Sequence, residues 1–152
     1  MWEGRDYAAL DNHDNDGVRA MGTKIECFES IANAPKAVGP YSPVVRAGNL
    51  VFLSGQVGLN PETSQLVGSG IQEQTEQVMK NLKTVLAGVG LSFKDVIKTV
   101  IFLTDLSNFQ TVNKIYGDAL EGHKPARSTI QVSALPLGAI VEIEMIAVGG
   151  VG

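Results

Sequence analysis

Apolar residues recur at two different periods along this chain, and each change of period marks a new element. The most regular stretch carries Ile71, Thr75, Val78, Met79, Leu82, Val85, Leu86 and Val89 at helical spacing, one stripe on an otherwise polar segment. Ser69 with Gln72 three residues on matches a capping box at its start, and Gly88 and Gly90 supply a stop. A second stripe of Phe109, Val112, Tyr116, Ala119 and Leu120 predicts a helix from about Asn108 to Leu120. Ser107 and Gln110 repeat the capping spacing there, and Gly122 and Pro125 end the helix. Elsewhere the period is two. Short β-rich runs lie at Lys24 to Phe28, Val44 to Ala47, Leu50 to Gln56 and Val96 to Leu103, with closing strands around Arg127 to Val132 and Ile140 to Val148. Gly48-Asn49 between two such runs is a hairpin signal, and Pro35, Pro40 and Pro43 hold the preceding loop extended.

The order β, ββ, α, β, α, ββ predicts a two-layer α+β domain with two helices on one face of a sheet of about six strands. The opposite face is unusual. In the last strand Ile140, Glu142, Glu144 and Ile146 alternate with Val141, Ile143, Met145 and Ala147, so neither side is cleanly polar. In Leu50 to Gln56, strict alternation sets Ser54 and Gln56 beside Phe52. A lone domain would expose apolar residues on that second face, and burial against other subunits is the simplest resolution.

Composition narrows the class. A chain of 152 residues holds one domain with a proper core, and its mean hydropathy of +0.10 is that of an ordinary globular protein. The formal charge of −4, with no basic block, argues against a nucleic-acid partner. No apolar run has the length of a membrane span, and no secretory or transit signal is visible. The single cysteine, Cys27, excludes an internal disulfide framework and suits a reducing setting, so the expected location is cytoplasmic, with an organelle left open. Residues 1–21 are acidic and aperiodic and read as a mobile tail ahead of a single domain at 22–152; Met21-Gly22 resembles a second start, which would make that tail an added leader. Within it, Asn12 to Gly17 imitates the opening of a calcium loop, but position one is an amide and position twelve is Thr23, so a metal is not expected.

Two charges stand out in the closing strands. Arg127 follows Pro125 at a strand entrance, and Glu142 lies inside an apolar run. Burying either is costly without a partner or a purpose. Two readings stay open on the residues alone: an ion pair of Arg127 with Glu142 or Glu144, or separate functional roles. Glu144, two residues from Glu142, reads as structural; Tyr116 reads as core, His123 as a residue near a helix end, and Cys27 as inert.

The segments Val38-Gly39-Pro40-Tyr41-Ser42, Leu53-Ser54-Gly55-Gln56, Asn60-Pro61-Glu62-Thr63, Gln74-Thr75-Glu76-Gln77-Val78, Lys98-Thr99-Val100-Ile101-Phe102-Leu103, Phe109-Gln110-Thr111-Val112-Asn113, Pro125-Ala126-Arg127-Ser128-Thr129 and Val141 to Ala147 occur in this order. Together they closely resemble the reactive intermediate deaminase A family, also called YjgF/YER057c/UK114, from roughly Ile25 to Val148. The resemblance implies a chorismate-mutase-like α+β fold with a mixed sheet, and a homotrimer with active sites between subunits. It also implies hydrolysis of 2-aminoacrylate and related 2-imino acids to 2-keto acids and ammonia without cofactor or metal. The matching positions make Arg127, Glu142 and Tyr41 the expected catalytic residues. Arg127, Ser128, Thr129, Ser54 and Asn113 are the expected substrate contacts. Thr129 stands where many members have cysteine, which removes a thiol but not a backbone contact. A non-catalytic trimer that binds small carboxylates or acts as a chaperone is the alternative. A ribonuclease or translation inhibitor is disfavoured by the acidic balance.

Overall fold

The computed structural model of the protein describes residues 24–149; the acidic segment 1–21 and its calcium-loop imitation lie outside the described residues. The elements are β1 (Ile25–Phe28), β2 (Val44–Ala47), β3 (Leu50–Val57), α1 (Ile71–Gly88), β4 (Val96–Leu103), α2 (Phe109–Ala119), β5 (Ala126–Gln131) and β6 (Val141–Val148). One six-stranded sheet has the order β1-β2-β3-β6-β4-β5, with β4 and β5 parallel and the other neighbours antiparallel. Because β3 and β4 both run antiparallel to β6, they are parallel to each other, and α1 crosses between them as α2 crosses between β4 and β5. Right-handed crossovers that step in the same direction across a sheet leave both helices on the same face.

Between that face and the helices lies the core. Val78, Leu82, Val85 and Leu86 of α1 and Val112 and Tyr116 of α2 are buried against Val51, Ile101, Leu103, Ile143 and Met145 of the sheet. The helical stripes therefore fall where the 3.6-residue period puts them. Their caps do not. Gly70 is the N-cap of α1, and its N–H donates to Glu73 Oε1 at 2.7 Å, in place of the expected Ser69–Gln72 pair. A carboxylate in the first turn accepts more strongly than an amide and suits the positive end of the helix. Before α2, Asp105 Oδ1 accepts from the Ser107 N–H at 2.8 Å and caps a short 3-10 turn, Leu106–Asn108, that leads into the helix; Asn108 makes no side-chain cap.

Two polar residues on the buried side of α1 depart from the apolar pattern. Gln74 and Asn81 are only 1% and 2% exposed. Asn81 Nδ2 donates to the carbonyls of Val57 (3.2 Å) and Leu59 (2.9 Å), while its Oδ1 accepts from Gln77. Gln74 Nε2 donates to the Gly68 carbonyl at 2.7 Å, and its Oε1 accepts from the Ile140 N–H at 3.1 Å. These bonds fasten the loop after β3, and the entrance of β6, to the helix layer. The Val57 carbonyl also accepts from the Leu59 N–H at 2.7 Å, so Asn81→Leu strips the partner from the Leu59 carbonyl and is expected to lower stability by about 1–3 kcal/mol, measured by urea unfolding.

The strand edges bring one correction of register. Pairing between β3 and β6 shifts between Leu53 and Gln56, so Ser54 and Gly55 form a bulge. Beyond it Gln56 pairs with Ile143 and is buried towards the helices, while Val57 lies opposite Glu142. Strict alternation had put Gln56 beside Phe52; the extra residue reverses the parity.

Candidate active site

On the face away from the helices, registered neighbours place Glu142 beside Val57 and Phe102, Glu144 beside Val100, and Ile146 beside Phe52 and Lys98. Ser128 lies next to Val100 on the same face. Several apolar members of this face are left open, with Phe52 40% and Ile130 44% exposed. At one end of the face is a cleft of about 360 Å³, lined among others by Tyr41, Ser54, Gly55, Glu142 and Glu144.

Each polar wall of that cleft has a traceable support. The loop of prolines carries Tyr41, whose hydroxyl accepts from the Val38 N–H at 3.3 Å and keeps its own proton to donate. Ser54 holds that loop to the sheet: its N–H donates to the Pro43 carbonyl at 3.0 Å and its Oγ to the Ser42 carbonyl at 2.7 Å. Glu142 is half-buried and has no ion-pair partner among the described residues. Burial pushes its carboxyl above the usual range, and the nearby Glu144 carboxylate pushes in the same direction. A carboxyl held in this way is a better proton acceptor than a free one, which suits general-base work.

Arg127 is elsewhere. It pairs with Thr99, and Thr99 with Met145 of the core, so its side chain projects on the helix-covered side of the sheet. There its guanidinium carbon lies 5.1 Å from the centre of the Tyr116 ring and 5.6 Å from that of Phe109. Aromatic faces steady a cation without neutralising it. Arg127 makes no ion pair among the described residues, and with Asn113, Tyr116, His123 and Lys124 it lines a second cleft of about 420 Å³. The ion pair between Arg127 and Glu142 or Glu144 that the residues alone allowed is therefore absent; within one chain the sheet separates them.

The other expected residues divide in the same way. Asn113 is exposed beside Arg127; Thr129 points to the helix side, and its hydroxyl is buried without a partner; Ser128 faces the open side and accepts from Lys98 Nζ at 3.3 Å. Strand β5 ends the sheet, so one side of its backbone is unpaired and can offer N–H groups to a ligand. Ser54, expected to touch substrate, spends its hydroxyl proton on the Ser42 carbonyl. Tyr116 is core, as its place on the stripe indicated, and donates to Thr99 Oγ1 at 3.0 Å. His123 lies 2.7 Å through Nε2 from the Val96 carbonyl. Gln74, Asn81 and Gly55 were missed. The first two share the helical phase of Val78 and Val85, which marks them as buried polar residues; Gly55 was visible only as a glycine inside a strand.

Fold and clefts together describe an α+β protein with an acidic pocket on one side of the sheet and, on the other, an arginine that makes no ion pair among the described residues. The endoribonuclease L-PSP family model matches residues 31–149. The chain is 52% identical over 130 residues to the chloroplastic reactive intermediate deaminase A of Arabidopsis thaliana, covering 86% of this chain and 69% of that one. It is 47% identical over 130 residues to the 2-iminobutanoate/2-iminopropanoate deaminase of Mus musculus, covering 86% and 96%. The solved structure of E. coli TdcF with bound serine superposes with a TM-score of 0.76 at 37% identity, covering 82% of this chain and 100% of that one. The protein belongs to the endoribonuclease L-PSP family, to which these reactive intermediate deaminases are its relatives.

Proposed function

We propose that the protein hydrolyses reactive enamine and imine intermediates, 2-aminoacrylate and related 2-imino acids, to 2-keto acids and ammonia. The observation that carries this reading is Glu142: a half-buried carboxyl of raised proton affinity, with no ion-pair partner among the described residues, in a cleft with the Tyr41 hydroxyl. The deaminase names of the Arabidopsis and mouse relatives support it.

The chemistry follows from the substrate. A 2-imino acid, the tautomer that 2-aminoacrylate reaches when a proton moves from nitrogen to its methylene carbon, sets a planar carboxylate beside an electrophilic C=N carbon. A guanidinium matches that carboxylate with two parallel hydrogen bonds, and Arg127 is the group suited to it, with N–H donors of β5 around Ser128 and Thr129 beside it. Water then adds to the carbon while Glu142 takes its proton. The same carboxyl returns that proton to nitrogen, giving the carbinolamine, and then carries the hydroxyl proton to nitrogen as the C–N bond breaks, leaving a keto group and ammonia. Tyr41 donates to the departing nitrogen or steadies the substrate. Asn113, on the rim beside Arg127, and Ser54, through the loop it fixes, complete the proposed set. The serine bound by E. coli TdcF shares with such a substrate a carboxylate next to a nitrogen-bearing carbon. An RNA phosphodiester would bring negative charge towards Glu142 and Glu144, which disfavours the ribonuclease reading. No bound group is required by this route.

Arg127 and Glu142 meet only if a second chain is added. We therefore place the working site between subunits of a homotrimer, the edge of one sheet approaching the open face of the next. The exposed apolar residues of that face, Phe52 and Ile130 among them, are what such contacts would cover. Phe52→Glu is expected to yield a smaller species in light scattering and to abolish turnover; an unchanged oligomer with full activity would refute the arrangement. The cytoplasm is the proposed location, and the chloroplastic relative makes an organelle equally compatible. The functional test supplies serine or threonine to a pyridoxal-phosphate dehydratase and follows keto-acid release. Added protein should accelerate it, and equal rates with and without the protein would end the deaminase reading.

A further inference from the structure

We propose that Gly55 is a positioning residue for Glu142: the bulge in β3 presents a backbone without a side chain at the place where the Glu142 carboxylate lies. This rests on the catalytic reading of Glu142 and adds to it the means by which the carboxylate is aimed.

The geometry is specific. A Cβ built on Gly55 would stand 2.8 Å from Glu142 Cδ and 3.0 Å from its Cγ, and would overlap Oε1. Those atoms belong to the functional end of the side chain, so accommodating a methyl group means moving the carboxylate itself. The backbone does not demand glycine here, since Gly55 is not among the residues with positive φ. Glycine inside a strand weakens the strand, and its presence is commonly explained by a bulge or by a close approach. Both occur at Gly55. The register shift between Leu53 and Gln56 turns the bulged segment towards β6, and Val57 resumes pairing opposite Glu142. The other bulge residue, Ser54, fixes the Tyr41 loop through the Ser42 and Pro43 carbonyls. One irregularity in one strand thus orients both polar walls of the cleft.

Gly55→Ala should lower kcat at least about tenfold, because a displaced base loses part of its proton-transfer contribution. KM should stay within about twofold, since the carboxylate anchor is untouched. A glycine needed only for folding would cost the same stability whatever stands at position 142. The proposed seat instead predicts coupling: Gly55→Ala lowers Tm in the wild-type background and leaves it unchanged or raised in Glu142→Ala. If Gly55→Ala fails to fold, Gly55→Ala/Glu142→Ala should fold; a double variant that also fails overturns the inference. Wild-type kcat in Gly55→Ala, beside an inactive Glu142→Gln, overturns it and leaves the deaminase reading standing. Full activity in Glu142→Gln removes the catalytic reading instead, and an uncoupled Tm would then remove the seat as well.

Discussion

Arg127→Ala is expected to lose roughly 100-fold or more in kcat/KM on a 2-imino acid, the effect of removing a charge-assisted, two-pronged carboxylate contact. Folding should be little affected. Arg127 makes no ion pair among the described residues, and its stacking on Tyr116 and Phe109 contributes only about 0.5–1 kcal/mol per ring at a partly exposed site. The Tm and the elution volume should therefore stay close to wild type. Arg127→Lys should recover only part of the loss, because an ammonium keeps the charge without the planar fork. Dehydratase-coupled kinetics with thermal melts on the same samples decide the matter. Unaltered turnover in Arg127→Ala would sink the proposed mechanism, and an unfolded or dissociated variant would assign the arginine to structure.

Glu142→Gln is the complementary case. Removing a general base should cut kcat by about 10²–10⁴ while substrate still binds through Arg127. A non-catalytic carboxylate binder would keep its affinity and have no turnover to lose, so this variant separates the two readings. The pH dependence carries the same information. Burial first, and the Glu144 carboxylate second, raise the Glu142 carboxyl above its ordinary value of 4.5. A base must be ionised to work, so activity should fall as pH drops through that raised value. Glu144→Gln removes one of the two causes and should move the acid limb to lower pH. Stability runs the other way. For an acid whose folded pKa is raised, the favourable contribution is complete below the unfolded value and is lost as pH rises through the folded one. Glu142→Gln should thus match or exceed the wild-type Tm at neutral pH while losing activity. Equal losses of both would mark Glu142 as a structural residue.

How much of this was legible beforehand depended on whether the cause was local. Periodicity placed β2 and β4 at their observed bounds and both helices within a residue or two, because burying one face of a regular element leaves its period in the sequence. Capping was less legible: several oxygen-bearing side chains near a helix start compete for the same N–H groups, and Glu73 and Asp105 won over Ser69 and Ser107. The motifs name the proposed site residues as a set, and they do not say that within one chain these residues fall in two clefts.

The sequence by itself determined the element order, the two apolar stripes, the surplus of apolar residues on the second sheet face and the presence of Arg127 and Glu142 in closing strands. Only the tertiary structure decided that β6 runs between β3 and β4, that the sheet separates Arg127 from Glu142, and that a bulge at Ser54–Gly55 turns Gln56 inward and makes room for a carboxylate. The physical reason is the range of the interactions. A stripe or a cap records forces between residues a few positions apart. Strand order, register and the bulge are settled by how distant segments pack, and a single inserted residue reverses every side chain beyond it.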